Sequence, residues 1–121
     1  MAYNRITVDG KTPNSNSEIS ISPNLSTLTI TDNYTISTNT GIREIFTFTS
    51  SANRVITLPT ASTVGQGYQY DIKSLSNVTF TITCAGSDTI DDGSSTTFAL
   101  SDQYASITLV ADANNNRWFI V

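Results

Sequence analysis

A chain of 121 residues with a net charge of −4 and only six Lys and Arg has the size of one domain and lacks the basic surface that a phosphate backbone requires. With no His, Ser-His-Asp and Cys-His nucleophiles and imidazole-ligated metals drop out. Charged residues make up 13% of the chain while Thr, Ser and Asn fill 20, 16 and 11 positions, so the solvated surface is built of hydroxyls and amides, which suits strands and turns better than helices.

Residues 1 to 24 are the least globular stretch. Met1-Ala2-Tyr3-Asn4-Arg5 is not followed by a signal-peptide core, and no run anywhere approaches the roughly 20 apolar residues of a membrane span. Synthesis in the cytoplasm, with neither a membrane nor a nucleic acid as partner, is therefore expected. Ile6 and Val8 precede an Asp9-Gly10 turn signal, and Ile19 and Ile21 follow a polar run and lead to Pro23. These are too few apolar groups to close a core, so the segment reads as an extended arm, or edge-strand material, whose Ile6, Val8, Ile19 and Ile21 bind a partner surface.

From Leu25 the period becomes two. Leu28 and Ile30 share a parity, Asp32-Asn33 turns the chain into Tyr34 and Ile36, and Ser37 to Gly41 is a loop. Ile42 to Ser50 places Phe46 and Phe48 on one face with Thr47 and Thr49 opposite. Ser51-Ala52-Asn53 separates that run from Val55-Ile56-Thr57-Leu58, and the two are expected to form a hairpin. Thr60 to Gly67 is a loop whose Gly65 and Gly67 allow tight entry into the next strand.

The stretch from Tyr68 to Cys84 carries the clearest alternation. Tyr68, Tyr70 and Ile72 are followed, across Ser74-Leu75-Ser76-Asn77, by Val78, Phe80, Ile82 and Cys84 at the same parity. Two half-buried strands joined by a turn are expected, with their apolar face laid on the rest of the chain. Cys84 is the single cysteine, and its inward parity makes it a buried structural thiol rather than a reactive one.

Gly86-Ser87 turns the chain, Thr89-Ile90 is a short strand at best, and Asp91-Asp92-Gly93-Ser94 is a tight turn. Thr96 to Leu100 forms a strand with Phe98 and Leu100 inward. Ala105, Ile107 and Leu109 alternate with Ser106 and Thr108, and a loop from Ala111 to Asn116 precedes Arg117-Trp118-Phe119-Ile120-Val121. Eight to ten short strands without a convincing helix, and without a repeat of fixed length, predict an all-β domain over 25–121: an antiparallel β-sandwich, jelly-roll-like, with the extended N-terminal arm in front.

Few residues could carry chemistry. Asp88, Asp91 and Asp92 form the one acidic cluster, which reads first as turn chemistry and otherwise as a cation site or a carboxylate pair. No enzymatic role and no cofactor are expected. Gly65-Gln66-Gly67 lacks the helix opening and Lys that a phosphate cradle needs. Sequons at Asn24, Asn33 and Asn77 are expected by chance in so Asn-, Ser- and Thr-rich a chain. Tyr68, Tyr70 and Trp118 read as core aromatics, with a sugar-stacking platform as the alternative. Trp118, Phe119, Ile120 and Val121 are apolar at both parities, which marks them as a subunit interface, and a homotrimer is expected.

Several blocks, taken in order, resemble a β-module that recurs in tailed-bacteriophage virion proteins. They are Ile56-Thr57-Leu58-Pro59-Thr60-Ala61, Gly67-Tyr68 with Ile72-Lys73, Val78-Thr79-Phe80, Gly86-Ser87-Asp88-Thr89-Ile90-Asp91, and Ala105-Ser106-Ile107-Thr108-Leu109-Val110 with Trp118. The resemblance covers about residues 33 to 121 and departs chiefly at Asp92, inserted before Gly93. Such modules occur in tail fibres, head fibres and capsid decoration proteins, commonly as homotrimers, and carry no catalytic residues. The resemblance implies a virion structural protein, a capsid decoration protein of the cement or head-fibre kind that docks on the major capsid protein. The alternative is a tail-fibre receptor-binding module that recognises host surface glycan.

Overall fold

The computed structural model describes residues 24–37 and 43–121, and the arm residues Ile6, Val8, Ile19 and Ile21 lie outside them. The described residues form ten strands: β1 (Asn24–Thr29), β2 (Tyr34–Thr35), β3 (Arg43–Thr49), β4 (Arg54–Thr57), β5 (Gln69–Ser74), β6 (Phe80–Thr83), β7 (Thr89–Ile90), β8 (Thr97–Leu100), β9 (Ser106–Asp112) and β10 (Arg117–Ile120). A single helical turn, α1 (Ala61–Val64), links β4 to β5, and a 3-10 turn at Ala113–Asn115 links β9 to β10.

The fold is all-β, in two facing sheets. One runs β1-β3-β5-β9-β10-β7 and the other β2-β4-β6-β8. From β1 to β9 the chain changes sheet at every connection, and β3, β4, β5, β6 and β8 each lie beside the strand two places earlier, whereas β9 returns to β5 and β7 ends on β10. Pairings β1–β3, β3–β5, β2–β4 and β4–β6 are all parallel. This is a β-solenoid-like stack of coils, closed by the antiparallel pairs β5–β9, β9–β10 and β6–β8.

The antiparallel, jelly-roll-like arrangement is thereby corrected, and both expected hairpins with it. β3 and β4 lie in opposite sheets, as do β5 and β6. The physical reason is that alternation assigns each side chain a face but not each strand a partner. The polar links that read as hairpin turns instead carry the chain across the roughly 10 Å between two packed sheets. No fixed repeat was visible because the coils differ in length. Leu28 sits beside Phe48, 20 residues on, but Phe48 sits beside Ser74, 26 residues on, the second coil having taken in α1.

The corners are stitched from coil to coil. Asn33 Oδ1 accepts the Val55 amide at 2.8 Å and Asn53 Oδ1 accepts the Thr79 amide at 2.9 Å. At the start of the same links, where the chain leaves the six-stranded sheet, the Ser50 amide donates to Ser76 Oγ and the Leu75 amide to the Phe48 carbonyl.

The inward parity holds almost as read. Phe46, Phe48, Tyr68, Tyr70, Ile72, Phe80, Ile82, Ile107, Leu109 and Trp118 are buried in one core, with Val78 and Cys84 packed against it. Aromatic rings run through it in file, Tyr34 on Phe48 at 5.5 Å, Phe48 on Phe46 at 5.8 Å, Phe46 on Tyr70 at 5.9 Å and Tyr70 on Trp118 at 5.5 Å. Such pairs add about 0.5–1.5 kcal/mol each to what burial alone contributes.

Candidate functional site

The acidic cluster dissolves into three separate structural tasks. Asp88 is buried, and its Oδ2 accepts the Ala61 amide at 2.7 Å, fastening α1 to the β6–β7 corner. Asp91, at φ 52°, accepts the Ile120 amide on Oδ1 while its own amide donates to the Trp118 carbonyl. Asp92 Oδ1 accepts both the amide and the hydroxyl of Ser94. Those hydrogen bonds, the backbone one first, hold its carboxyl below the usual range. No group of three or more Cys, Asp or Glu suited to a metal occurs among the described residues.

A second network braces the 3-10 turn. Asp112 accepts from Asn115 Nδ2 at 2.9 Å, from Gln66 Nε2 at 3.2 Å and from Arg117 at 3.2 Å. The Asn115 bond first, then Gln66 and Arg117, lower its pKa against partial burial. Gly65 and Gly67 have φ values of 100° and 81°, and the Gly67 amide reaches the Ala111 carbonyl at 2.8 Å. The glycines thus serve a tight entry into β5, as their sequence context indicated, because positive φ is costly for other residues.

On the outer face of the six-stranded sheet, Asp71 accepts from Arg43, Thr108 and Gln69 across three strands. Burial acts to raise its pKa, but the Thr108, Arg43 and Gln69 hydrogen bonds and the Arg43 charge outweigh it, and the carboxyl is held below its usual value. On the inner face, the Tyr68 hydroxyl donates to buried Glu44 at 2.8 Å. Burial first, then the neighbouring Tyr68 and Glu44, raise the Tyr70 pKa well above the ordinary phenol value. Burial, with Asp88 behind it, pushes the Cys84 thiol up to about 11.

What stays uncommitted is one end of the stack. Of the exposed large apolar side chains, Phe98 (38% exposed) lies on β8, and Phe119 (37%) and Val121 (75%) lie on or beside β10. A groove of about 560 Å³ runs between β8 and the ends of β9 and β10, floored by Phe98, Leu100, Ile120 and Val121. A smaller recess of about 230 Å³ adjoins it, sharing Phe98 and Ile120. Asp102 stands on the first, Asp91 and Asp92 on the second, and among the described residues no Lys or Arg lines either.

Phe98 was read as inward. Its parity is inward, opposite Ile82, but among the described residues no strand covers it on that side, so it floors the groove. Of the four residues marked as a subunit interface, Trp118 is fully buried in its own chain, while Phe119 and Val121 remain exposed and Ile120 is shared between core and groove. The groove was missed because it is made by unequal sheet lengths, which alternation does not encode. The corner asparagines had a signal: Asn33, Asn53 and Asn77 each precede a second-sheet strand, as Asn-Tyr-Thr-Ile, Asn-Arg-Val-Ile and Asn-Val-Thr-Phe. Comparison with protein-family models and with curated proteins finds no match to the chain.

Proposed function

We propose that the chain is a structural protein of a tailed-bacteriophage virion, made in the host cytoplasm, and that it decorates the outer capsid surface by docking on the major capsid protein. The observation that carries the reading is the apolar groove floored by Phe98, Leu100, Ile120 and Val121 at one end of a stack in which Asp88 and Asp92 are engaged in holding α1 and a turn. Exposed apolar side chains gathered in this way mark an interaction surface. The ordered resemblance to virion β-modules supports the same reading, since its blocks fall on β4, β5, β6, β7, β9 and β10. A homotrimer belongs to the same reading, with the exposed Phe119, which lies outside the groove, as the remaining subunit-interface residue.

Immunogold labelling of virions from the source phage, with antibody against the folded chain, tests the location. Label on heads supports decoration; label confined to tail tips, or none, defeats it. Light scattering tests the trimer, which a monomeric mass at micromolar concentration rejects.

A second reading has its own observation. Arg117 stacks on the Phe119 ring at 4.7 Å and Lys73 approaches the Tyr104 ring at 5.9 Å, with both rings exposed. Exposed rings beside cations suit sugar stacking, as in a tail-fibre module that binds host surface glycan. Tail-tip label together with retention on a host-polysaccharide column would establish it.

A further inference from the structure

The two sheets do not end together. The strand orders pair β1 with β2, β3 with β4, β5 with β6 and β9 with β8, but among the described residues β10 has no strand opposite it, and β7 meets the smaller sheet only where the Ile90 amide donates to the Ser95 carbonyl at 2.7 Å. The groove is the place of the missing strand. β8 is the terminal strand of its sheet, and the Cys84 amide donates to the Thr96 carbonyl at 3.0 Å. Antiparallel alternation therefore turns the backbone groups of Thr96, Phe98 and Leu100 toward β6, and those of Thr97 and Ala99 toward the open edge. An open edge beside an apolar floor is a template for one more strand.

The rim states the charge of that strand. Asp102 lines the groove, Asp91 and Asp92 line the recess that adjoins it at Phe98 and Ile120, and among the described residues no basic side chain lines either. Arg117 reaches the Asp91 carbonyl at 3.3 Å, but its charge is paired with Asp112. A second β8 pairing there across a two-fold axis would bring acidic rim against acidic rim.

We propose that the groove is a strand-addition site for an extended segment of a partner protein, alternately apolar and carrying a basic residue at each end. The segment pairs with the free edge at Thr97 and Ala99, lays its apolar side chains on Phe98, Ile120 and Val121, and sets its cations against Asp102 and against Asp91 and Asp92. This rests on reading that end as a docking surface, not on which particle carries the protein, so virion labelling and peptide binding fail separately.

The test uses a fluorescein-labelled peptide, Lys-Val-Thr-Ile-Thr-Val-Thr-Lys, and the same peptide ending in Glu at both ends, titrated with the full chain. The Lys peptide should bind at least about tenfold more tightly, a difference of about 1.4 kcal/mol. Amide resonances of Thr97, Ala99 and Ile120 should shift. Ala99→Pro removes an edge amide that no strand among the described residues uses, a position where Pro is tolerated, and it should weaken binding at least about tenfold. Equal binding of the two peptides, binding unaffected by Ala99→Pro, shifts elsewhere, or no binding at millimolar peptide overturns the proposal. So does a self-associated chain that Ala99→Pro dissociates and that ignores the peptide, which would make a second copy the occupant. If Ala99→Pro fails to fold, the wild-type shifts and the Lys-against-Glu comparison decide.

Discussion

Asn53 accepts the amide of Thr79 on the next coil at 2.9 Å, at the corner where the chain leaves one sheet for the other. The bond does for the corner what the ladder does for the strands, since it satisfies an amide just outside β6 and fixes where the next coil begins. Asn53→Ala should lower stability by about 1 kcal/mol, whereas Asn53→Asp, which keeps the acceptor, should cost less. Urea unfolding of both variants checks this, and equal losses would show that the amide finds water instead.

Phe80 and Ile82 are fully buried while Thr81 between them is not. Phe80→Ala should cost about 3–5 kcal/mol and Ile82→Ala about 2–5 kcal/mol, from lost transfer energy and the cavities left. Thr81→Ala should stay within about 1 kcal/mol. Chemical denaturation ranks the three, and a ranking with Thr81→Ala worst would mean that β6 faces the other way.

Asp71 links three strands on the outer face and has a lowered pKa, with burial opposed by Thr108, Arg43 and Gln69. A carboxylate depressed in the folded state contributes stability that is complete above its unfolded pKa and is lost as the pH falls through the folded value. Asp71→Asn should therefore destabilise at neutral pH by about 1–2 kcal/mol, and the gap to wild type should narrow on acidification below about pH 4. Thermal melts from pH 7 to pH 2 measure it; a gap that widens in acid contradicts the assignment.

The Cys84 thiol, raised to about 11 by burial and then by Asp88, is almost wholly protonated at neutral pH. Since the thiolate is the reactive species, iodoacetamide should label native Cys84 at least about tenfold more slowly than the urea-unfolded chain at pH 7.5. The sign for stability is the reverse of the Asp71 case. The contribution is present below the unfolded thiol pKa and is lost as the pH rises through the folded one. Labelling at equal rates in the two states would place the thiol in solvent.

The alternation of Phe46 with Phe48, of Tyr70 with Ile72 and of Phe80 with Ile82 made the core legible, because period two is a property of each strand taken alone. Which strand lies beside which is a property of the links. Ser51-Ala52-Asn53 is a good hairpin turn on composition, yet Asn53 works as a corner acceptor for a residue 26 positions away, a relation that local turn chemistry does not contain. Asp92 was legible as a turn residue for the opposite reason: Ser94, two positions along, is its partner, and that range is what a turn signal describes, whereas Asp88 and Asp91 hold the amides of Ala61 and Ile120, 27 and 29 positions away. The groove was beyond reach, since it arises where one sheet outruns the other.

The ladder offsets also set a timetable. β1 meets β3 at 20 residues' distance and β3 meets β5 at 26. At a translation rate of about 5–20 residues per second, each coil therefore waits roughly one to five seconds for its neighbour to emerge. The chain can wind up from its first coil as it leaves the ribosome, and β5 keeps a bare edge in its sheet while β6, β7 and β8 emerge. β5 waits longest. Its second neighbour pairs Ile107 with Ile72, 35 residues on, so a stalled ribosome exposes the Tyr70–Ile72 edge before any other.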